Sequence, residues 1–391
     1  MTNLSIFEKA NYTNKNIGFK ELIKNIETGF ELQNNLKEQN ELSADEKLKY
    51  TESIILTPDY QREYRFSIKD ESSLIESVLL DIPIPPVFLA SDRLGDIRVT
   101  NVVDGQHRLR AMFRFYNNEF KISGLKLLPG INGKMYQDLD YEHKEKLLTN
   151  NIAAILFDSF PGLDFELEIF NRYNKGTKPL SPQEIRHAVY NSEFNQYVNS
   201  FVSNITESEE STDSINYKLG KIYNTSVDRF QKKKVQENIF VILYIIEKGI
   251  NIENLKSHNY AENFMKEKAE KERDNYDKAL TEYEEQIQGF ENFNEWILNI
   301  SETVEFPFSK EIYGVSNRNY KFQISIAMII SGIYHKIIQE DKRVLLEKEN
   351  TEELLKKIGH SLENSFLEDL EYRASSTNSK KIKELVDQIV L

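Results

Sequence analysis

The chain contains no cysteine, one tryptophan, and only 15 glycines and 9 prolines among 391 residues. Without cysteine there is no disulfide, no thiolate nucleophile and no Cys-ligated zinc or iron–sulfur cluster. A chain this long needs no such staples. At roughly 100–200 residues per domain it makes two or three domains, each able to bury a core. No stretch approaches the roughly 18 uninterrupted apolar residues of a membrane span. The longest apolar run, Ile324 to Ile333, is broken by Ser325, Ser331 and Gly332 and reads as a buried helix. The opening MTNLSIFEKANYTNKN carries no apolar core of signal-peptide length, so the expected location is cytoplasmic, with no membrane partner. Basic residues are outnumbered, 50 against 63 acidic ones, for a formal charge of −13. That balance argues against broad, non-specific affinity for a nucleic-acid backbone.

The charge is unevenly spread. Residues 51–190 hold 17 basic and 20 acidic residues, a net of −3, which leaves −10 for the flanks. Patterning divides the chain the same way. Residues 1–50 are polar, with Leu22, Ile23 and Ile26 at helical spacing, and predict a helical N-terminal arm. Residues 51–205 alternate between strand and helix signals. ESIILTP is a short β-rich run, and Ser67 or Asp70 offers an N-cap for a helix carrying Leu74, Ile75, Val78 and Leu79. The prolines of DIPIPP end that helix. VFLA and IRVTNVV read as two strands around a turn at Gly95. Residues 121–150 read as a polar connection, IAAILF as a buried strand, and Phe165, Ile169, Phe170 and Tyr173 as a helix face stopping near Gly176. Ser181, Pro182 and Glu184 then open another helix. From 206 to 391 only helical signals remain. Within them Ala261–Gln288 is mostly charged, with Tyr276, Leu280, Tyr283 and Ile287 at heptad-like spacing, and predicts a long solvated helix or a partner-binding coiled coil.

The sharpest local event is the passage from Val103 through Asp104, Gly105, Gln106, His107 and Arg108 into a helix with Leu109, Met112, Phe113 and Tyr116 on one face. A glycine turn between strand and helix presents free backbone N–H groups and the positive helix end, which suits a phosphate. Arg108 and Arg110 add charge-assisted donors. Asp104 fits either a magnesium ligand or an orienter of a water or an arginine, and the whole is equally compatible with an ordinary α/β turn. His107 could act as a general acid or base, or donate from a neutral ring to a carbonyl. Two further segments belong with this turn: Gln61 and Arg62 in TPDYQREY, and Asn171, Arg172, Asn174, Lys175 and Lys178 with Arg186 downstream. His143, His187, His258, His335 and His360 show no metal-ligand spacing.

Taken together, YQR, IPIPP, VVDGQHRL and IFNRYNKGTKPLSPQEIR resemble the family of GmrSD restriction endonuclease N-terminal domains, with His107 where that family's DGQQR signature has a second glutamine. The likeness covers roughly residues 50–205. It implies an α+β protein: a ParB/sulfiredoxin-like mixed α/β domain over 51–205 followed by an all-α domain over 206–391. Asp104–Ala111 looks like the phosphate box of ParB, Pro58–Arg62 like its first box, and Asn174–Arg186 like the segment holding its third. Sulfiredoxin chemistry needs a cysteine and is excluded. The resemblance further implies a nucleoside triphosphate and magnesium. Gln61 and Arg62 would line one wall, and Gly105, Arg108 and Arg110 would hold phosphates with Lys175 and Arg186. Asp104, Gln106, His107 and Arg108 would carry catalysis, and Asp104 with Asn174 would hold the metal. Many relatives add an HNH nuclease. The three histidines after residue 205, in KSHNY, IYHKI and IGHSL, do not form that motif, so none is expected. Three readings compete: an NTPase of a restriction-like antiphage system, a DNA-binding or regulatory module using Arg62, Arg65, Arg108, Arg110, Arg114, Arg172 and Lys175 as a basic cleft, and a structural subunit partnered by a second copy or by a separate nuclease.

Overall fold

The computed structural model describes residues 10–37, 42–56, 66–94, 96–160, 163–173, 181–208, 215–253, 256–315, 322–363, 365–369 and 377–391. The chain forms two compact units, Met1–Leu180 and Ser181–Leu391.

The first unit contains β1 (Asn11–Gly18), α1 (Phe19–Lys37), α2 (Ala44–Lys49), β2 (Ile54–Ile55), α3 (Ile68–Leu79), β3 (Val87–Leu94), β4 (Ile97–Asp104), α4 (Gln106–Tyr116), α5 (Tyr141–Thr149), β5 (Asn151–Ser159) and α6 (Leu163–Tyr173). The strands make one mixed sheet in the order β1-β5-β3-β4-β2. β3 and β4 are an antiparallel hairpin, β5 runs parallel to β3, β2 parallel to β4, and β1 antiparallel to β5. The strand and helix signals at 87–104, 106–116 and 152–157 all materialise. Both suggested caps of α3 take part. The Ser67 hydroxyl accepts from the Asp70 amide, and the Asp70 carboxylate accepts from the Ser67 amide at 3.0 Å.

The main core lies on one sheet face, and a smaller cluster of Leu32, Tyr50, Ile55, Ile97 and Val99 lies on the other. Ile54, Leu89, Val102, Ile152 and Leu156 pack with Phe19, Leu22, Ile23 and Ile26 of α1, Ile75 and Val78 of α3, and Leu109, Met112 and Phe115 of α4. The expected arm is therefore part of this unit: α1 buries its apolar stripe in the core and β1 is an edge strand. The strand was hidden because NYTNKNIG is exposed from Asn11 to Asn16 and shows no apolar alternation. The stretch 121–150 is also more than a connection. It holds α5 and two single 3-10 turns, and it buries Ile122, Leu125, Ile131, Leu139 and Leu147.

Polar groups on α3 fix that stretch. Glu71, fully buried, pairs with Arg114 of α4 at 2.6 Å, and the Ser72 hydroxyl accepts from the Ser123 amide at 2.9 Å. One oxygen of buried Glu76 accepts from the Leu127 and Leu128 amides at 2.7 and 2.8 Å. Glu76 thus does for a loop what an N-cap does for a helix, supplying an acceptor to amides that no backbone carbonyl reaches.

The second unit comprises α7 (Pro182–Val189), α8 (Glu193–Glu207), α9 (Ile215–Ile222), α10 (Val227–Gln231), α11 (Lys234–Lys248), α12 (Ser257–Asp274), α13 (Tyr276–Ser301), α14 (Ile324–Gln339), α15 (Thr351–Glu363) and α16 (Ser379–Gln388). Compactness puts the division at 180/181 rather than 205/206, because α7 and α8 pack with these helices: Phe194 of α8, for example, meets Phe264 and Tyr283. The apolar run at 324–333 is the buried helix α14. Among the described residues, no helix is long and apolar enough to cross a membrane.

The charged stretch 261–288 is neither one long helix nor solvated throughout. Asn275 divides it, its amide ending α12 on the Lys271 carbonyl at 2.9 Å and its side chain capping α13 by accepting from the Lys278 amide at 3.1 Å. Phe264, Met265, Lys268 and Tyr283 are buried. Lys268 has no exposed side-chain surface, lies 3.0 Å from Glu247 of α11, and sits over the Phe264 ring. Its long apolar stem and paired ammonium let a residue that reads as surface face the core.

Two predictions follow from these buried charges. Glu76→Ala should cost about 1–3 kcal/mol in denaturant unfolding, since two partly buried amides lose their charged acceptor, while Glu76→Gln, which keeps an oxygen, should cost less. Burial lowers Lys233 to about 8, opposed by nearby Glu184. Between about pH 8 and the ordinary lysine value the unfolded chain then holds a proton that the folded chain has lost, so this lysine makes stability rise with pH there and fall as pH drops. Stability measured from pH 8 to 9.5 should show that rise, and Lys233→Met should flatten it.

Candidate functional site

Strands β3 and β4 pair in register from Leu94 opposite Ile97 to Leu89 opposite Val102. The next pair is Phe88 with Asp104. Val103 is therefore an extra residue, a one-residue bulge at the end of β4. Side chains alternate along a strand, so without the bulge Asp104 would share the core face with Val102. The bulge moves it to the opposite face, that of Phe88, Ala90 and Asn101. A carboxylate follows an apolar strand here without entering the core.

Gly105 follows with φ +102°. A Cβ at this position would lie 2.7 Å from the Cγ1 of Val87. Both the dihedral and the close approach demand glycine. The turn ends directly in α4, which has no side-chain cap and no acidic residue in its first turn. By contrast α3, α5 and α7 start on a Ser or Asp cap whose side chain accepts a backbone N–H. The N-terminus of α4 is thus an electropositive end beside Asp104.

Arg108, one turn into α4, reaches back over the turn. Its Nη2 donates to Asp104 Oδ2 at 2.6 Å, and its Nη1 donates to the carbonyl oxygens of Pro85 and, at 3.3 Å, Pro86. Burial pushes the Asp104 carboxyl up from the ordinary aspartate range, against the opposing pull of Arg108 and of the Gly105 amide. Gln106, His107 and Arg110 are half-buried. The His107 ring packs against Phe66, with centroids 5.1 Å apart. Arg114 is committed to Glu71 and Glu119, and Arg172 to Glu168.

The turn therefore brings Asp104, Gly105, Gln106, His107, Arg108 and Arg110 together. Gln61, Arg62, Arg65, Gly176, Asn174, Lys175 and Lys178 lie outside the described residues. Arg186 lies in the second unit, buried, where its guanidinium meets Glu237 and Gln183 and approaches Glu262 at 3.7 Å. Among the described residues no three of His, Asp and Glu are grouped as a metal site. A divalent cation at this turn would have Asp104 as its carboxylate, leaving the rest of its shell to water and to phosphate oxygens, which suits magnesium. Sequence reasoning missed the acceptors of the site, the Pro85 and Pro86 carbonyls. The prolines themselves were legible, but only as a helix stop.

Residues 40–191, 152 of the 391, match the family model of the GmrSD restriction endonuclease N-terminal domain. The match contains every candidate site residue named above. No curated protein and no solved structure matches the chain.

Gly105→Ala should destabilise the first unit by about 1–2 kcal/mol from the dihedral alone. The clash with Val87 adds to this, because a β-branched side chain cannot swing aside. Thermal unfolding measures it, and a substitution without effect would show that the turn is not held as described.

Proposed function

We propose, from the premise that the 40–191 segment belongs to the GmrSD N-terminal domain family, that this protein binds and hydrolyses a nucleoside triphosphate at the Asp104–Arg108 turn in a restriction-like defence role. The observation that carries the reading is the pairing of an uncapped helix N-terminus with a carboxylate that a bulge has turned out of the core. Backbone amides at the start of α4 take phosphate oxygens, and the dipole of α4 favours their charge. Asp104, beside the same helix end, would hold a magnesium ion bound with the phosphates, which would supply charge neutralisation for transfer of the terminal phosphoryl to water. This chain supplies position and preorganised electrostatics. The order of the motifs along the mixed sheet supports assigning the first unit to the ParB/sulfiredoxin-like fold, and the family supports modified DNA as the sensed signal.

The rival, a basic cleft for DNA, loses support because Arg108 and Arg114, both largely buried, are paired with carboxylates. A thermal-shift screen of NTPs with and without magnesium separates the two. A ligand at 100 times its dissociation constant adds about 2.7 kcal/mol to stability. Turnover should require magnesium and disappear in Asp104→Ala. Steeply salt-dependent DNA binding with no NTP turnover would replace this reading with the rival.

A further inference from the structure

Arginine beside a phosphate-binding turn is ordinarily read as a phosphate ligand. The contacts of Arg108 give it a different task. Its side chain is 14% exposed, and both terminal nitrogens are engaged by the protein, Nη2 with Asp104 and Nη1 with the carbonyls of Pro85 and Pro86. Proline has a carbonyl but no N–H, so this segment offers acceptors in succession and no donors. Proline also fixes φ, which stiffens the segment whose two carbonyls meet one nitrogen. The guanidinium thus spans three parts of the first unit: the end of β4 through Asp104, the approach to β3 through Pro85 and Pro86, and α4, from which it grows. Gly105 packs on Val87, the residue after Pro86, at the same junction. A partly buried ion pair of this kind adds little net stability, because desolvation offsets the attraction.

We propose that Arg108 is a positioning residue, a staple that holds Asp104 and the turn amides in place for the ligand. It fixes which way Asp104 points and how closely the N-terminus of α4 sits against β3, leaving phosphate contact to the turn's own amides. This rests on the nucleotide reading above, and the test keeps the two apart.

Lysine discriminates, because it keeps the charge and is itself a common phosphate binder, but its single nitrogen cannot span Asp104 and two carbonyls. Arg108→Lys should speed hydrogen exchange of the peptide covering Leu109 to Phe115, whose amides are the first hydrogen-bonded ones of α4, at least tenfold in nucleotide-free protein, with the α11 peptide as unchanged control. It should also weaken NTP affinity at least tenfold. Unchanged exchange would overturn the proposal, whether affinity fell, marking a direct ligand, or stayed. Faster exchange with unaltered affinity would also overturn it, since the staple would then not serve the site. If the wild type binds no NTP, the nucleotide reading fails, and exchange alone decides whether Arg108 holds the turn. Should Arg108→Lys not fold, Asp104→Asn cuts the ion pair from the other end and should speed exchange over the same peptide.

Discussion

One junction organises the first unit: the end of β4, the start of α4 and the approach to β3 meet where Gly105 lies against Val87 and Arg108 spans Asp104 and two proline carbonyls. Each component constrains the next. The bulge at Val103 turns Asp104 out of the core, the left-handed glycine reverses the chain without a side chain in the way, and α4 starts uncapped because that glycine is its N-cap and has no side chain to accept a backbone N–H. Replacing any one of them disturbs the others. The site's chemistry is therefore a property of the backbone path as much as of the side chains.

Much of this was legible in the sequence because it is written in local chemistry. Val103-Asp104-Gly105 followed by Leu109, Met112 and Phe113 marks a strand, a turn and an amphipathic helix without tertiary information. Ser181-Pro182-Gln183-Glu184 likewise announces a capped helix, and its capping box forms. What was not legible depends on pairing partners. No residue type signals the bulge, which exists only in the register between β3 and β4. β1 escaped because an exposed edge strand need not alternate. The carbonyl acceptors at Pro85 and Pro86 escaped because backbone groups leave no trace in composition.

Burial of charge was the other hidden quantity. α7, read as a plain capped helix, is buried along nearly its whole length, with Gln183, Glu184, Arg186 and His187 among the inaccessible residues. Arg186 matched a motif by position, yet its guanidinium is held by Glu237 in the second unit. Lys268 read as part of a solvated stretch and lies inside, as does Lys233, each beside a partner. Charged residues are rarely fully buried unless paired, and the pairs here join positions 21 to 51 residues apart, beyond the reach of any sequence window.

The central claim is that phosphates sit on the amides at the start of α4 beside Asp104. A structure with a non-hydrolysable NTP analogue and magnesium tests it most directly. Phosphate oxygens should lie within hydrogen-bonding distance of the Gln106 and His107 amides, with Asp104 toward the metal. A nucleotide bound elsewhere, with this turn empty, would contradict it.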